Sequence, residues 1–291
     1  MRLTTKLCQM LQTPGIITAP GAYDCLTAKI IESAGFPAVY MTGAGTSVSR
    51  LGVPDLGLAT MTDMVSNAAE IAAMVQVPVI ADADTGYGGV LNVQRTIRQY
   101  ERAGVAAVHI EDQEMPKRCG HLDDKRIIPT EDMVGKIRAA VDARTDADFR
   151  IIVRTDALAV SGWEDTMRRC ESYVLAGADI LFVEALRSRE DAQRVAANFD
   201  VPLLYNFVET GKSPLIPAAE LEQIGFKVVI FPVSALLTVC RAVGNLMQKL
   251  REQGTTIDQI NNMVSLEDCF NTVGLGEMVA EDAKYSIAAQ T

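Results

Sequence analysis

The segment "HIEDQEMPKRCGH", His109 to His121, holds both histidines of the chain, together with three carboxylates, two cationic residues and a thiol. Cys119 stands beside Lys117, Arg118 and His121. Positive charge close to a thiol lowers its pKa from about 8.5 towards neutrality, which favours a group that can give and recover a proton. Gly120 lets the backbone turn tightly there or approach a ligand closely. A lone cysteine is usually packing, but this local charge reads Cys119 as reactive. His109 lies between Val108 and Ile110, where a hydrogen-bonded structural imidazole and a catalytic one are equally consistent with its neighbours. Tyr87 in "TGYGG" gives a weak gating signal.

A second chemical cluster precedes it. Asp82 and Asp84 are two residues apart, and on a strand they would point to one side. Joined by Glu111 they make an all-oxygen donor set without a soft ligand, which suits Mg²⁺ or, as an alternative, Mn²⁺. The bland reading is helix capping or ion pairing. The metal reading is preferred because unpaired carboxylates this close would repel one another.

Eight short apolar runs must position these groups, starting at Gly15, Ala38, Val77, Ala106, Phe149, Asp179, Val201 and Phe226. Helical patterns such as "AYDCLTAKIIESAG", "MTDMVSNAAEIAAMVQ" and "WEDTMRRCESYVLAGA" separate them. Strands alternating with helices pair in parallel through right-handed crossovers, and eight of them close a (β/α)₈ TIM barrel. An open doubly wound sheet is the alternative, but no G-x-G-x-x-G opens a helix. Barrel sites lie at strand C-termini. There the chain places Thr42 and Gly43, Asp82 and Asp84, His109, Glu111 and Asp112, Arg154 and Asp156, Glu184, and Asn206. One such residue is often a cap; six strands ending this way point to a site. Residues 1–291 read as a single barrel domain, with 255–291 a C-terminal helical extension.

Composition sets the remaining bounds. Of 291 residues 48% are hydrophobic, enough for a large core, and the formal net charge is −10. That charge argues against nucleic acid and anionic membrane surfaces as partners, while an acidic protein can still bind an anionic small molecule through a metal or a few focused cations. The uncharged run from Val228 to Cys240 is too short to span a bilayer, which needs about 20 apolar residues. The start of the chain shows no signal-peptide pattern. Six scattered cysteines without a C-x-x-C pair fit a reducing, cytoplasmic setting rather than a disulfide or zinc framework.

"LGVPD", "DADTGYG", "HIEDQ", "KRCGH" and "RTDA", in this order, resemble the isocitrate lyase/phosphoenolpyruvate mutase superfamily from about Gly15 to Cys240. The likeness is strongest to its short carbon–carbon lyases, which act on dimethylmalate and other alkylmalates or on 2-methylisocitrate. The resemblance implies a helix-swapped barrel in a homotetramer, with additional C-terminal helices exchanged between subunits. It implies Mg²⁺ near Asp84, held largely through waters shared with Asp55, Asp82 and Glu111. Substrate carboxylates would be held by Thr42, Gly43 and Ala44, by Arg154, and by Gly120 and His121, with Glu184 and Asn206 as further site positions. "NFVETGKSPL", Asn206 to Leu215, is closer to the alkylmalate group than to methylisocitrate lyases, and the Cys-Gly-His arrangement argues against phosphonomutase chemistry.

The activity implied is lyase cleavage of a 2-hydroxy acid to a 2-oxoacid and a carboxylate. Cys119 would be the proton donor, tuned by His121 and Lys117, and Asp55, Glu111 or a metal-bound hydroxide the base. Arg154 would stabilise the carbanion, under a lid running from about Asp112 to Lys125. Oxaloacetate hydrolysis or decarboxylation on the same metal site is a second enzyme reading, and a barrel that only binds an acid is a third.

Overall fold

Eight strands form one closed, all-parallel barrel in sequence order: β1 (Ile17–Ala22), β2 (Val39–Met41), β3 (Val79–Asp82), β4 (Ala107–Glu111), β5 (Arg150–Thr155), β6 (Ile180–Val183), β7 (Leu203–Asn206) and β8 (Val228–Phe231). β8 closes on β1, with Ile17 opposite Val228. The computed structural model describes residues 1–285. All eight expected strands are present, so the closed barrel holds and the open sheet falls.

The strands read as continuous apolar runs because both faces are covered. Alternation along each strand sorts residues into two layers. Ile152 joins Ile17, Ala19, Tyr40, Ile80, Phe182, Leu204 and Ile230 in one cluster. Its neighbours Ile151 and Val153 pack instead with residues of the surrounding helices, such as Ile97, Ile137 and Tyr173. Leu7, from the helix Leu3–Gln12, is fully buried in the first of these clusters.

Local signals end and start the helices. The helix Trp163–Ala176 stops at Gly177, whose φ of 108° is left-handed, as expected for a glycine C-cap. Thr60 and Asp63 form a reciprocal capping box at Met61–Met74. Gly21 belongs to the closing seam: a Cβ there would lie 2.4 Å from the Pro232 carbonyl oxygen.

The chain divides into two compact units, Met1–Ala235 and Leu236–Thr291. The first holds the barrel. Within the second, the described residues form the rest of the helix Ser234–Gln253, a 3₁₀ turn Ile257–Asn262, and helices Leu266–Thr272 and Leu275–Tyr285. The last three elements bury no residue, and Ile260, Leu266, Met278 and Val279 are all exposed. No helix among the described residues is long and apolar enough to cross a membrane.

Candidate active site

A pocket at the C-terminal mouth of the barrel is lined by Thr42, Ala44, Asp55, Asp82, Lys117, Cys119, Gly120, His121, Arg154, Glu184 and Asn206. Residues spread over most of the chain therefore converge, each delivered by a strand end or the loop after it. Gly43, Asp84 and Glu111 complete the surroundings: the Gly43 N–H donates to Asp82 Oδ2 at 3.2 Å. Asp84 Oδ1 lies 2.8 Å from Lys117 Nζ, and Glu111 Oε2 lies 3.3 Å from Arg154 Nη1.

Two expectations about the acids change. β3 ends at Asp82, and Asp84 lies beyond it with φ +46°, so strand alternation does not set its direction. Instead the Asp84 N–H donates to Asp82 Oδ1 at 2.9 Å, and the Asp84 carbonyl accepts from the Glu111 N–H. Nor are the carboxylates unpaired. Lys117 reaches Asp55 at 2.5 Å and Asp84 at 2.8 Å. It therefore serves the acids, not the thiol. Burial alone would lower the Lys117 pKa, but Asp84, Asp55, Glu111 and Asp82 hold it well above the lysine range.

Arg154 faces Glu111 across adjacent strands. Asp156 grips it from Nε at 2.9 Å and Nη2 at 3.1 Å, while Nη1 lies 3.3 Å from both Glu111 and Glu184. Burial pushes Asp156 up, but Arg154 and Lys125 more than offset this and hold it at about 2. Asp112 anchors this floor: it accepts from Thr155 Oγ1, Tyr173 OH and the Asp156 N–H. Asp112, Asp156 and Lys125 form a network whose connections sequence spacing does not reveal. Lys125 in "LDDKR" carries no signal that separates it from a solvated charge.

The Cys119 segment is closed over the pocket. The Cys119 N–H donates to the Asp55 carbonyl, and the Lys212 N–H donates to His121 Nδ1 at 3.0 Å. His121 Nε2 lies 3.6 Å from Glu184, and Asn206 Nδ2 donates to Glu184 Oε2 at 3.0 Å. Burial, above all, keeps His121 below the usual histidine range, so it is neutral with Nδ1 accepting. The Cys119 thiol departs from expectation. Burial pushes it above its ordinary value of 9.0, and Asp55 and Glu184 oppose the help that Arg154 gives. The reason is geometric: Lys117 is spent on aspartates and Arg118 is exposed.

His109 is a buried, neutral imidazole. Nδ1 meets Tyr40 OH at 3.2 Å and Nε2 lies 3.2 Å from Asp82, while burial and then Arg154 lower its pKa to about 3. It holds Asp82 and Tyr40 and does not line the pocket, which favours the structural reading. Tyr87 packs inward, its OH 3.4 Å from that of Tyr100. It is no gate.

The donor set bears on a metal. No three Asp, Glu, His or Cys side chains among the described residues converge closely enough to hold an ion directly. Yet Asp55, Asp82, Asp84, Glu111, Asp156 and Glu184 are countered only by Lys117, Arg154 and Lys125. Glu111 Oε1 is buried without a hydrogen-bond partner. Burial raises Asp82, Asp84 (to about 6) and Glu111. Such a surplus of buried acid fits a hydrated divalent cation, which supplies the missing charge and leaves the last bonds to water.

A family model described as phosphoenolpyruvate phosphomutase matches residues 7–251. The chain belongs to this family. The 2,3-dimethylmalate lyase of Eubacterium barkeri is 43% identical over 98% of this chain and 99% of its own length. The 2-methylisocitrate lyase of Aeropyrum pernix is 42% identical over 98% of this chain and 91% of its own. A crystal structure of 2,3-dimethylmalate lyase, described as a PEP mutase/isocitrate lyase superfamily member, superposes with a TM-score of 0.94 at 44% identity, covering 99% of this chain and 97% of that one. The family model stops at residue 251, whereas the likeness to this crystal structure extends over the C-terminal helices as well as the barrel.

Proposed function

We propose that this chain is an Mg²⁺-dependent carbon–carbon lyase that cleaves a 2-hydroxy dicarboxylate of the 2,3-dimethylmalate type to pyruvate, or another 2-oxoacid, and a monocarboxylate. The observation that carries this reading is the half-buried, protonated Cys119 held by the closed loop over a pocket that also presents Arg154. The names of the relatives point the same way.

Asp84, with Asp55, Asp82 and Glu111 through water, would hold the ion. When bound, Mg²⁺ supplies Lewis acidity for the substrate's 2-oxygen and adjacent carboxylate. Arg154, set by Asp156, and the backbone at Thr42, Gly43, Ala44 and Gly120 bind the carboxylates. The carboxylate of Asp55 or Glu111, acting as the base, takes the hydroxyl proton. The bond between C2 and C3 then breaks, its electron pair staying on C3 beside the second carboxylate, and the C2 oxygen becomes the ketone of the 2-oxoacid. Arg154 stabilises the charge. The proton on Cys119 Sγ passes to C3, and the thiolate regains one from the base side in the next cycle. His121, neutral and held by the Lys212 N–H, positions the Cys119 segment. The loop from Asp112 to Lys125 excludes water from the carbanion.

The remaining features of this reading are a homotetramer with C-terminal helices exchanged between subunits and a cytoplasmic setting. The exposed apolar residues of Leu236–Tyr285 support the first. The experiment is an assay of purified protein with Mg²⁺ against 2,3-dimethylmalate, 2-methylisocitrate and oxaloacetate, with detection of pyruvate for the first two and of oxalate or pyruvate for the third. Turnover of dimethylmalate supports the proposal. Preference for methylisocitrate or oxaloacetate moves the substrate within the same site, and no turnover of any of them overturns it.

A further inference from the structure

Lys125 is buried, and its Nζ makes two contacts that join separate parts of the site. It donates to the Gly120 carbonyl at 2.5 Å and to Asp156 Oδ1 at 2.6 Å. Gly120 is the middle residue of the Cys119–His121 segment. Asp156 is the carboxylate that holds Arg154 from two sides, and its Oδ1 also accepts from Arg154 Nη2 at 3.1 Å. One aspartate oxygen thus serves both the anion clamp in the floor and the ammonium that ties down the cover. Beneath it, the Asp112 carboxylate fixes the Asp156 backbone. His121 also meets the floor, its Nε2 3.4 Å from Asn206 Nδ2 and 3.6 Å from Glu184, but neither contact involves Asp156; Lys212 and Asp123 meet at the surface.

We propose that Lys125 is a positioning residue that latches the Cys119–Gly120–His121 segment shut over Arg154 through Asp156. This rests on the reading of that segment as the cover of a catalytic pocket. Lys125 has no role at the reacting atoms. Its ammonium places Gly120 where a side chain would collide, since a Cβ there would lie 2.3 Å from Arg154 Nη2, and so seats the thiol at its working distance. A buried ammonium with a carboxylate and a carbonyl makes charge-assisted bonds, the strong kind that can define a closed state.

The test reads loop closure without relying on turnover. Full-length wild type, Lys125→Met and Lys125→Arg are treated with iodoacetamide, and labelling at each cysteine is followed by peptide mass spectrometry. Cys119 in Lys125→Met should label on the order of tenfold faster, the shift that loss of a charge-assisted hydrogen bond gives. Cys170, buried in the barrel shell, should stay unlabelled, which separates an opened loop from an unfolded protein. Lys125→Arg should restore much of the protection. With substrate, Lys125→Met should lower kcat more than it changes KM, because Arg154 keeps its partner. Unchanged Cys119 labelling in Lys125→Met overturns the latch, as does labelling of Cys170 in step with Cys119. A protein inactive on every substrate but showing the selective Cys119 change would reject the proposed activity and leave the latch standing.

Discussion

The thiol at Cys119 is the group whose chemistry the surroundings define most sharply. Burial raises its pKa above 9.0, so across the neutral range it carries the proton that the proposed step delivers. The sign follows: the protonated form is present below the raised value and is lost only as pH climbs through it. Alkylation of Cys119 should therefore accelerate above pH 9 and stay slow near neutrality; a labelling midpoint near pH 7 would contradict the geometry. Replacing Cys119 with Ser should lower kcat by roughly 10²–10⁴, the usual worth of a placed proton donor, with little change in KM. The residue types at this site were legible in the sequence: Cys119, Arg154, Glu184, Asn206 and the aspartates all line or border the pocket. Their partners were not. Which base meets which acid depends on side-chain reach across the barrel mouth, so spacing gives Lys117 to the thiol, marks Asp156 only as a strand end without naming its partners, and gives Lys125 no role.

At the level of strands and helices the sequence was more informative. Seven strands lie inside the apolar runs that mark them and β1 passes the end of its run, Gly21, by one residue, because a parallel barrel buries both faces and writes near-continuous hydrophobic segments. Their ends were harder to place. The spacing places Asp84 in β3, but the left-handed turn after Asp82 leaves no trace in a hydrophobic pattern. The seam between β1 and β8 gives a stability test. Gly21→Ala would place a methyl 2.4 Å from a backbone oxygen that cannot rotate away, and it should cost about 1–3 kcal/mol, as overpacking does. A lowered urea midpoint would report it. Gly15, at whose Cβ position nothing lies within 4 Å, makes a poor control because its φ is positive; Gly89, with open space and no positive φ, is the better one.

Charge and apolar surface act on the molecule as a whole. The acids around Lys117 and Arg154 exceed their cations, so a divalent ion that binds only the folded chain should raise its melting temperature, by the equivalent of about 2.7 kcal/mol at a hundredfold excess over Kd. Without the ion, burial holds Asp84 protonated up to about pH 6. That contribution is fully present below the unfolded value of 3.8 and disappears as pH rises through about 6. The ion must displace this proton at lower pH, so the Mg²⁺-induced rise should be larger near pH 7.5 than near pH 5.5 in differential scanning calorimetry; an equal rise at both would count against Asp84. Exposed Leu266, Phe270, Met278 and Val279 predict self-association. Analytical ultracentrifugation of the full chain should find a tetramer, and a monomer would reject it.

The Tyr205 hydroxyl donates to the Pro214 carbonyl at 2.7 Å, and so pins both ends of the stretch that carries Val208 to the pocket wall. A segment fastened this way can vary in its middle while the acids and the arginine beneath keep their places. Diversifying positions 208 to 213, apart from Gly211, whose Cβ would strike the His121 ring, is thus the economical route to a new substrate tail. Evolution could retune what this scaffold accepts by rewriting a handful of codons while the bond-breaking groups keep theirs.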